Sequence, residues 1–166
     1  SIHGEYTSNV PLWQWMADYA QRKGLGMHVH VSETQSEHEG SLTRWGLTPF
    51  RILDRYGVWD TRAIAAHCVW TTEDDWAGMA EKGVACVHNP VSNLKLGSGV
   101  AWIPAMKAAG VPIALGTDGV SSNNNQDMFE EMKFAAVLHN GVTRDPLALL
   151  PQDVLAMATR EGAKAL

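Results

Sequence analysis

Four short apolar runs each lead to a residue able to bind a metal or move a proton, and helix-like segments separate them. GMHVHVSET (26–34) leads to His30, AIAAHCVW (63–70) to His67, VACVHNPVSN (84–93) to His88, and IALGTDGVSSNNN (113–125) to Asp118. Short apolar strands alternating with helices pair in parallel through right-handed crossovers, which confines the chain to an α/β fold. The spacing predicts strands over 27–31, 63–67, 84–88 and 112–116. Helices are expected over 11–23 (Pro11 in the first turn, Gly24 at the end), 48–56, 73–82 (capped by Thr71 or Thr72), 101–109, 126–139 and 151–165. Residues 32–46, 89–100 and 117–125 read as polar loops. Long strand-to-helix loops and short returns are the mark of a (β/α) barrel with its site on the C-terminal face. A complete eight-stranded barrel takes about 250 residues, whereas this chain has 166. The expected fold is therefore α/β, a partial (β/α)8 TIM-like barrel of four strands plus a strand end at Ser1–His3. A single partial domain over 1–166 is expected, and a start on Ser1 with a stop inside a helical pattern reads as truncation at both ends.

Composition narrows the functional classes. At 45% apolar and 19% charged residues the chain can bury a core, and a net charge of −5 argues against a nucleic-acid surface. No apolar run approaches the ~18 residues that a bilayer span needs. Cys68 and Cys86 lie in strand-like segments and read as buried packing residues without a disulfide, in keeping with a cytoplasmic setting. There is no GxGxxG, P-loop, GxSxG or paired CxxC pattern.

The strand ends carry the chemistry. His28 and His30 share a face by strand alternation. A neutral imidazole at the end of a strand suits zinc, so His30 reads either as a ligand or as a core histidine. His28, one layer deeper, reads as structural. Glu33 is a solvated loop acid unless it lies beside a metal, where it becomes a candidate proton shuttle. His67 follows a small-residue strand that leaves space before it. His88, ahead of Asn89-Pro90, reads as a loop organiser. Asn93, Lys95, Gly97 and Gly99 can shape a substrate loop, with Lys95 as a solvated surface charge the blander alternative. Asp118 is the strongest single residue, because an acid after Ala-Leu-Gly-Thr is costly to bury unless paired or on a metal. Glu130 and Glu131 are expected on an exposed or flanking helix face.

Taken together, HGEYTS (3–8), HVSET (30–34), AAHCVW (65–70), HNPVSNLKLGSG (88–99) and LGTDGVSSNNN (115–125) resemble the amidohydrolase superfamily, and within it the aminohydrolase branch of 5-methylthioadenosine/S-adenosylhomocysteine deaminases and triazine chlorohydrolases. The resemblance implies barrel strands 5 to 8 plus the end of strand 4. It makes His30 and Asp118 metal ligands, with zinc or another divalent ion such as iron as the one cofactor per complete site. It makes Glu33 the acid that protonates a substrate ring nitrogen, and His67 the residue that orients the attacking hydroxide and polarises the tetrahedral centre. Asp118 relays the water proton, and His3 contacts substrate beside Glu33 and His67. The implied reaction is hydrolytic deamination of an aminated purine-type small molecule, with no nucleic-acid or membrane partner. Hydrolytic dechlorination or amide and ring hydrolysis are alternatives at the same site. The family's first-strand HxH pair has no counterpart here, since His28-Val29-His30 runs into the fifth-strand sequence. A chain of this extent is thus also expected to be inactive alone and to self-associate through exposed sheet edges.

Overall fold

The computed structural model describes residues 1–166. Its centre is a four-stranded parallel sheet in the order β1-β2-β3-β4, formed by β1 (Met27–Val31), β2 (Ala63–His67), β3 (Ala85–His88) and β4 (Ile113–Leu115). Sequential neighbours pair throughout. Val31 lies beside His67, Ala66 beside Val87, and His88 beside Leu115, so the functional strand ends align along one edge of the sheet. The expected strand end at Ser1–His3 is present as two backbone bonds: the Ile2 amide donates to the His28 carbonyl (3.2 Å) and the His30 amide to the His3 carbonyl (2.9 Å). This draws His3 up against β1.

Strand alternation sorts the faces. Met27, Val29 and Val31 are buried under helices, while His28 is exposed and His30 half-buried on the opposite face. Helices α1 (Val10–Lys23), α3 (Pro49–Arg55), α4 (Glu73–Lys82) and α6 (Ile103–Ala108) follow the expected ranges closely. The core they close holds Trp13, Phe50, Trp59, Met79, Ile103 and Met106, all at most 2% exposed. Phe50 and Trp59 stack with centroids 5.3 Å apart, and the Trp59 indole N–H donates to the Phe50 carbonyl (3.0 Å). The buried indole thereby keeps a hydrogen-bond partner inside an apolar environment. No helix is long and apolar enough to cross a membrane. Both cysteines are buried and free.

Three expected loops contain helices. The segment 32–46 carries α2 (Gln35–Trp45), started by Thr34, whose hydroxyl accepts from the Glu37 amide (3.2 Å), and ended by Gly46 in the left-handed region. Its polar composition hides it, because only Glu37, His38 and Ser41 are buried. The segment 89–100 carries α5 (Pro90–Lys95), with Pro90 in a first-turn position where its missing N–H costs nothing. The third, 117–125, carries the single turn α7 (Val120–Asn123). Helix α8 (Met128–Thr143) starts later and runs further than expected, since the Asp127 carboxylate caps the Phe129 and Glu130 amides. The final helix is two, α9 (Pro151–Ala158) and α10 (Arg160–Ala165), broken at Thr159, whose φ is −128° and ψ −96°.

Candidate active site and metal centre

Three strands deliver side chains to one place. His30 ends β1, His67 ends β2, and Asp118 follows β4. One ligand atom from each lies within 4.8 Å of the other two. They line a cleft of about 160 Å³ together with His28, Asn89 and Gly116. Gly116 is required there: a Cβ would stand 2.5 Å from Asn89 Oδ1 and 2.7 Å from Val87 Cγ1, so β4 approaches β3 only because this position has no side chain.

The chain exits from these strands in a conformation that L-residues avoid. Ser32 (φ 49°), His67 (71°), Cys68 (53°) and Asp118 (60°) are all left-handed. Each costs roughly 1–2 kcal/mol for a non-glycine residue and persists only where surrounding bonds over-determine it. Those bonds are visible. Asp118 Oδ2 accepts from the Ser92 hydroxyl (2.6 Å) and Oδ1 from the Gly119 amide (2.6 Å). Burial opposes its charge, but these two donors and the nearby His67 and His30 rings outweigh it and hold the carboxyl below its ordinary range.

The hydrogen bonds also assign tautomers. A carbonyl only accepts, so the contact between His30 Nδ1 and the His3 carbonyl (2.6 Å) makes Nδ1 the N–H and leaves the Nε2 lone pair for a ligand. His67 Nδ1 meets Asn93 Oδ1 at 2.8 Å, which turns its Nε2 toward Glu33, whose Oε2 lies 3.7 Å away. Burial lowers the His67 pKa, so the ring is neutral, the form a metal binds. Two imidazoles whose Nδ1 atoms are already engaged, leaving Nε2 open, and one ionised carboxylate fit a divalent ion of the zinc type, and His30, His67 and Asp118 could hold one. Each ligand has an outer partner, namely the His3 carbonyl, Asn93 and Ser92, as ordered metal sites require.

Every predicted site residue falls in or beside this cluster. His3 is exposed with its ring centroid 4.7 Å from that of His30, and its Nδ1 is tied to the Thr7 hydroxyl (2.9 Å). Glu33 is partly buried, 18% exposed, and its Oε1 accepts from Ser98 Oγ at 3.5 Å. His67, which the resemblance makes an orienting residue, sits among the potential ligands. His28, expected to be a buried structural residue, is instead exposed in the cleft, because the inner face of the sheet is open here. Glu131 is a second correction. Expected on an exposed or flanking face, it is 0% exposed, accepts from the Val91 amide and binds the Asn123 carboxamide, and Asn123 in turn donates to the Thr117 carbonyl (2.6 Å) next to Asp118. Lys95 is exposed yet not free: its ammonium donates to the Ser121 carbonyl (2.6 Å) and to Asn124 Oδ1 (2.5 Å). Sequence reading missed Glu37, His139 and the positioning roles of Ser92 and Asn93. His139, Ser92 and Asn93 carry no local signal, since their partners lie 26 to 51 positions away, whereas Glu37, three residues after Thr34, stands at cap spacing.

A model of the amidohydrolase family matches residues 1–166. The chain belongs to the amidohydrolase family. Among curated relatives, a 5-methylthioadenosine/S-adenosylhomocysteine deaminase of Dictyoglomus thermophilum is 45% identical over 99% of this chain and 38% of its own length. A 5'-deoxyadenosine deaminase of Methanothermobacter thermautotrophicus is 44% identical over 99% and 38%. This amidohydrolase chain thus spans about two-fifths of the length of the curated relatives it matches. Of solved structures, an adenosine deaminase from Xanthomonas campestris with bound zinc superposes with a TM-score of 0.95 at 40% identity, covering 99% of this chain and 37% of that one. An atrazine chlorohydrolase from Arthrobacter aurescens complexed with zinc gives 0.89 at 28% identity, covering 96% and 35%. These neighbours support the partial-barrel architecture and a divalent metal in the family.

Proposed function

We propose that this chain forms strands 5 to 8, with the end of strand 4, of the catalytic barrel of a metal-dependent aminohydrolase. Its substrate in this reading is an adenosine-type nucleoside of the 5-methylthioadenosine/S-adenosylhomocysteine class, from which ammonia is released. The observation that carries the reading is the convergence of His30, His67 and Asp118 donors with the Glu33 carboxylate 3.7 Å from His67 Nε2. The names of relatives at 44–45% identity support the substrate class.

A bound divalent ion would supply a water whose pKa falls from 15.7 toward ~7. The chain's own residues do the rest. Asp118, ionised and fixed by Ser92 and Gly119, is placed to take the proton of the attacking water and pass it to the leaving amine. Glu33 donates a proton to the ring nitrogen as the attacked carbon becomes tetrahedral, and His67, whose Nδ1–H is committed to Asn93, accepts from the attacking water at Nε2 and orients it. His3 lines the entrance beside His30 and contacts the substrate.

The test is ammonia release from 5-methylthioadenosine by the full-length protein and its Glu33→Gln variant. A kcat loss of about 10²–10⁴-fold is expected for a general acid of this kind, and a variant within a few-fold of wild type would overturn the assignment. The likeness to the chlorohydrolase supports a second reading, hydrolytic loss of chloride, because the metal donors suit either leaving group. A triazine and a nucleoside assayed side by side separate them. The chain by itself, in this reading, is inactive and self-associates through the edges of its sheet. Light scattering that shows a monomer would remove that part.

A further inference from the structure

The first turn of α2 is built differently from that of α4, although both begin with a threonine cap. In α4 the acid at the third position, Asp75, reaches back to the amide of its own cap residue Thr72 (2.9 Å). That is a capping box and serves the helix. In α2 the corresponding acid, Glu37, bypasses the cap. Its Oε1 accepts from the Ser32 amide (2.8 Å) and its Oε2 from the Glu33 amide (2.7 Å), while its own amide donates to Thr34 Oγ1 (3.2 Å). Both oxygens are thus committed to the residue that carries the candidate acid and to the one before it. Ser32 is left-handed (φ 49°) and its hydroxyl also meets His38 Nδ1 (3.2 Å), so the same helical turn grips this exit from β1 twice. Glu37 is 5% exposed, which keeps water from competing for these amides.

We propose that Glu37 is a positioning residue for proton transfer: its carboxylate clamps the Ser32 and Glu33 amides and thereby fixes the Glu33 carboxyl opposite His67 Nε2. The role rests on the aminohydrolase reading above, and deepens it, because it names what holds the acid still. A carboxylate accepts on both oxygens, whereas a glutamine at this position accepts on one and presents an NH₂ to the other amide. Glu37→Gln therefore breaks one arm of the clamp with little change of shape.

The experiment uses the full-length protein above pH 7, where the Glu37 carboxyl is ionised, and has two arms. The first is a double-mutant cycle in ammonia release from 5-methylthioadenosine with Glu33→Gln, Glu37→Gln and the double variant. Displacing a reacting group by about an ångström costs on the order of 10²-fold, so kcat should fall about 10- to 100-fold in Glu37→Gln. KM should stay within about two-fold, metal content should be unchanged, and the double variant should be no slower than Glu33→Gln alone. The second arm is hydrogen exchange: the Ser32 and Glu33 amides should exchange at least ~10-fold faster in Glu37→Gln, with residues 39–45 of α2 unchanged. Additive losses in the cycle, an unchanged kcat, or loosening of the whole helix would each overturn the proposal and make Glu37 a general support of the fold. Should Glu37→Gln not fold, Glu37→Asp, which keeps the charge but is too short for both amides, reads the same two arms, and failure of both variants to fold also overturns it. A wild type that releases ammonia from no nucleoside fails the functional reading itself, and the exchange arm alone still shows whether the clamp exists.

Discussion

At the ends of β1, β2 and β4 the imidazoles of His30 and His67 turn toward the Asp118 carboxylate, with the donor atoms within 4.8 Å of one another. At the end of β3, one strand away, His88 turns instead to His139 on α8, Nε2 to Nε2 at 3.0 Å. Residue type and strand position are alike, yet the two clusters differ in what they can do. The His88–His139 contact uses one nitrogen as donor and the other as acceptor, so the accepting ring must be neutral, and burial lowers both pKa values, which keeps the donating ring neutral as well. No carboxylate joins them, and both rings are at most 2% exposed. The pocket beside His139, about 240 Å³ between α6 and α8, is larger than the metal-site cleft but has no charged group in its lining. Chemistry here follows the pairing of free nitrogens with an ionised acid, not cavity size. Backbone geometry tells the same story: the exits of β1, β2 and β4 hold left-handed residues, while Asn89 after β3 has an ordinary negative φ of −122°.

The largest effect that would break this contrast is on metal. Asp118→Ala and His30→Ala in the full-length protein should lose most of the divalent metal that the unaltered protein retains, measured by elemental analysis after dialysis. Ammonia release should fall by at least ~10³-fold, because the pKa of the water returns toward ~15.7 without the ion. His139→Phe should keep its metal. Zinc lost equally in His139→Phe would mean that the two clusters are one site and that the division drawn between them is wrong.

The buried pair should show itself in stability instead. His139→Phe leaves His88 with both nitrogens unpartnered, since its Nδ1 already has no partner. The expected cost is about 1–3 kcal/mol at neutral pH, read by thermal or denaturant unfolding. Acid sharpens the comparison. The His139 pKa falls from 6.5 to about 4 on burial, so its stabilisation is fully present above pH 6.5 and is lost as pH falls through 4. That amounts to roughly 3 kcal/mol at most. Glu37 beside the open site has the opposite sign: burial raises it from 4.5 to about 7, so stability is fully present below pH 4.5 and is lost as pH rises through 7. Between pH 4.5 and 6.5 the two oppose one another. His139→Phe should therefore flatten the loss of stability on acidification and Glu37→Gln should steepen it. Parallel pH profiles for the two variants would contradict the buried environments described.

The same two regions mark what was legible in the sequence. His30, His67 and Asp118 stand out because each ends or follows an apolar run, with alternation setting the face of His30, whereas Glu33 came from the resemblance of HVSET to the family. The partial barrel followed from the same runs and the helices between them. The His88–His139 contact did not, because it joins residues 51 apart across a strand and a helix whose relative rotation no local pattern encodes. Helix α2 was hidden by its polar surface although Thr34, Glu37 and Gly46 stood at cap positions. Glu131 was misread for a related reason. Two adjacent acids at a helix start suggest solvent, and only the packing of α8 against the start of α5 and the end of α7 supplies Val91 and Asn123 as partners.

The smallest effect concerns how the Asp118 loop is held. Two ties reach it. The inner one runs from buried Glu131 through Asn123 to the Thr117 carbonyl. The outer one is Lys95, which bridges α5 to Ser121 and Asn124 from an exposed position. Water competes for an exposed ammonium but not for a buried carboxamide, so the inner tie should dominate. Lys95→Met is expected to cost less than ~1 kcal/mol in unfolding and to leave kcat within about three-fold. A loss of ten-fold or more in kcat/KM with unchanged stability would show that Lys95 reaches the substrate, and the surface tie would then belong with the open cluster as a binding element.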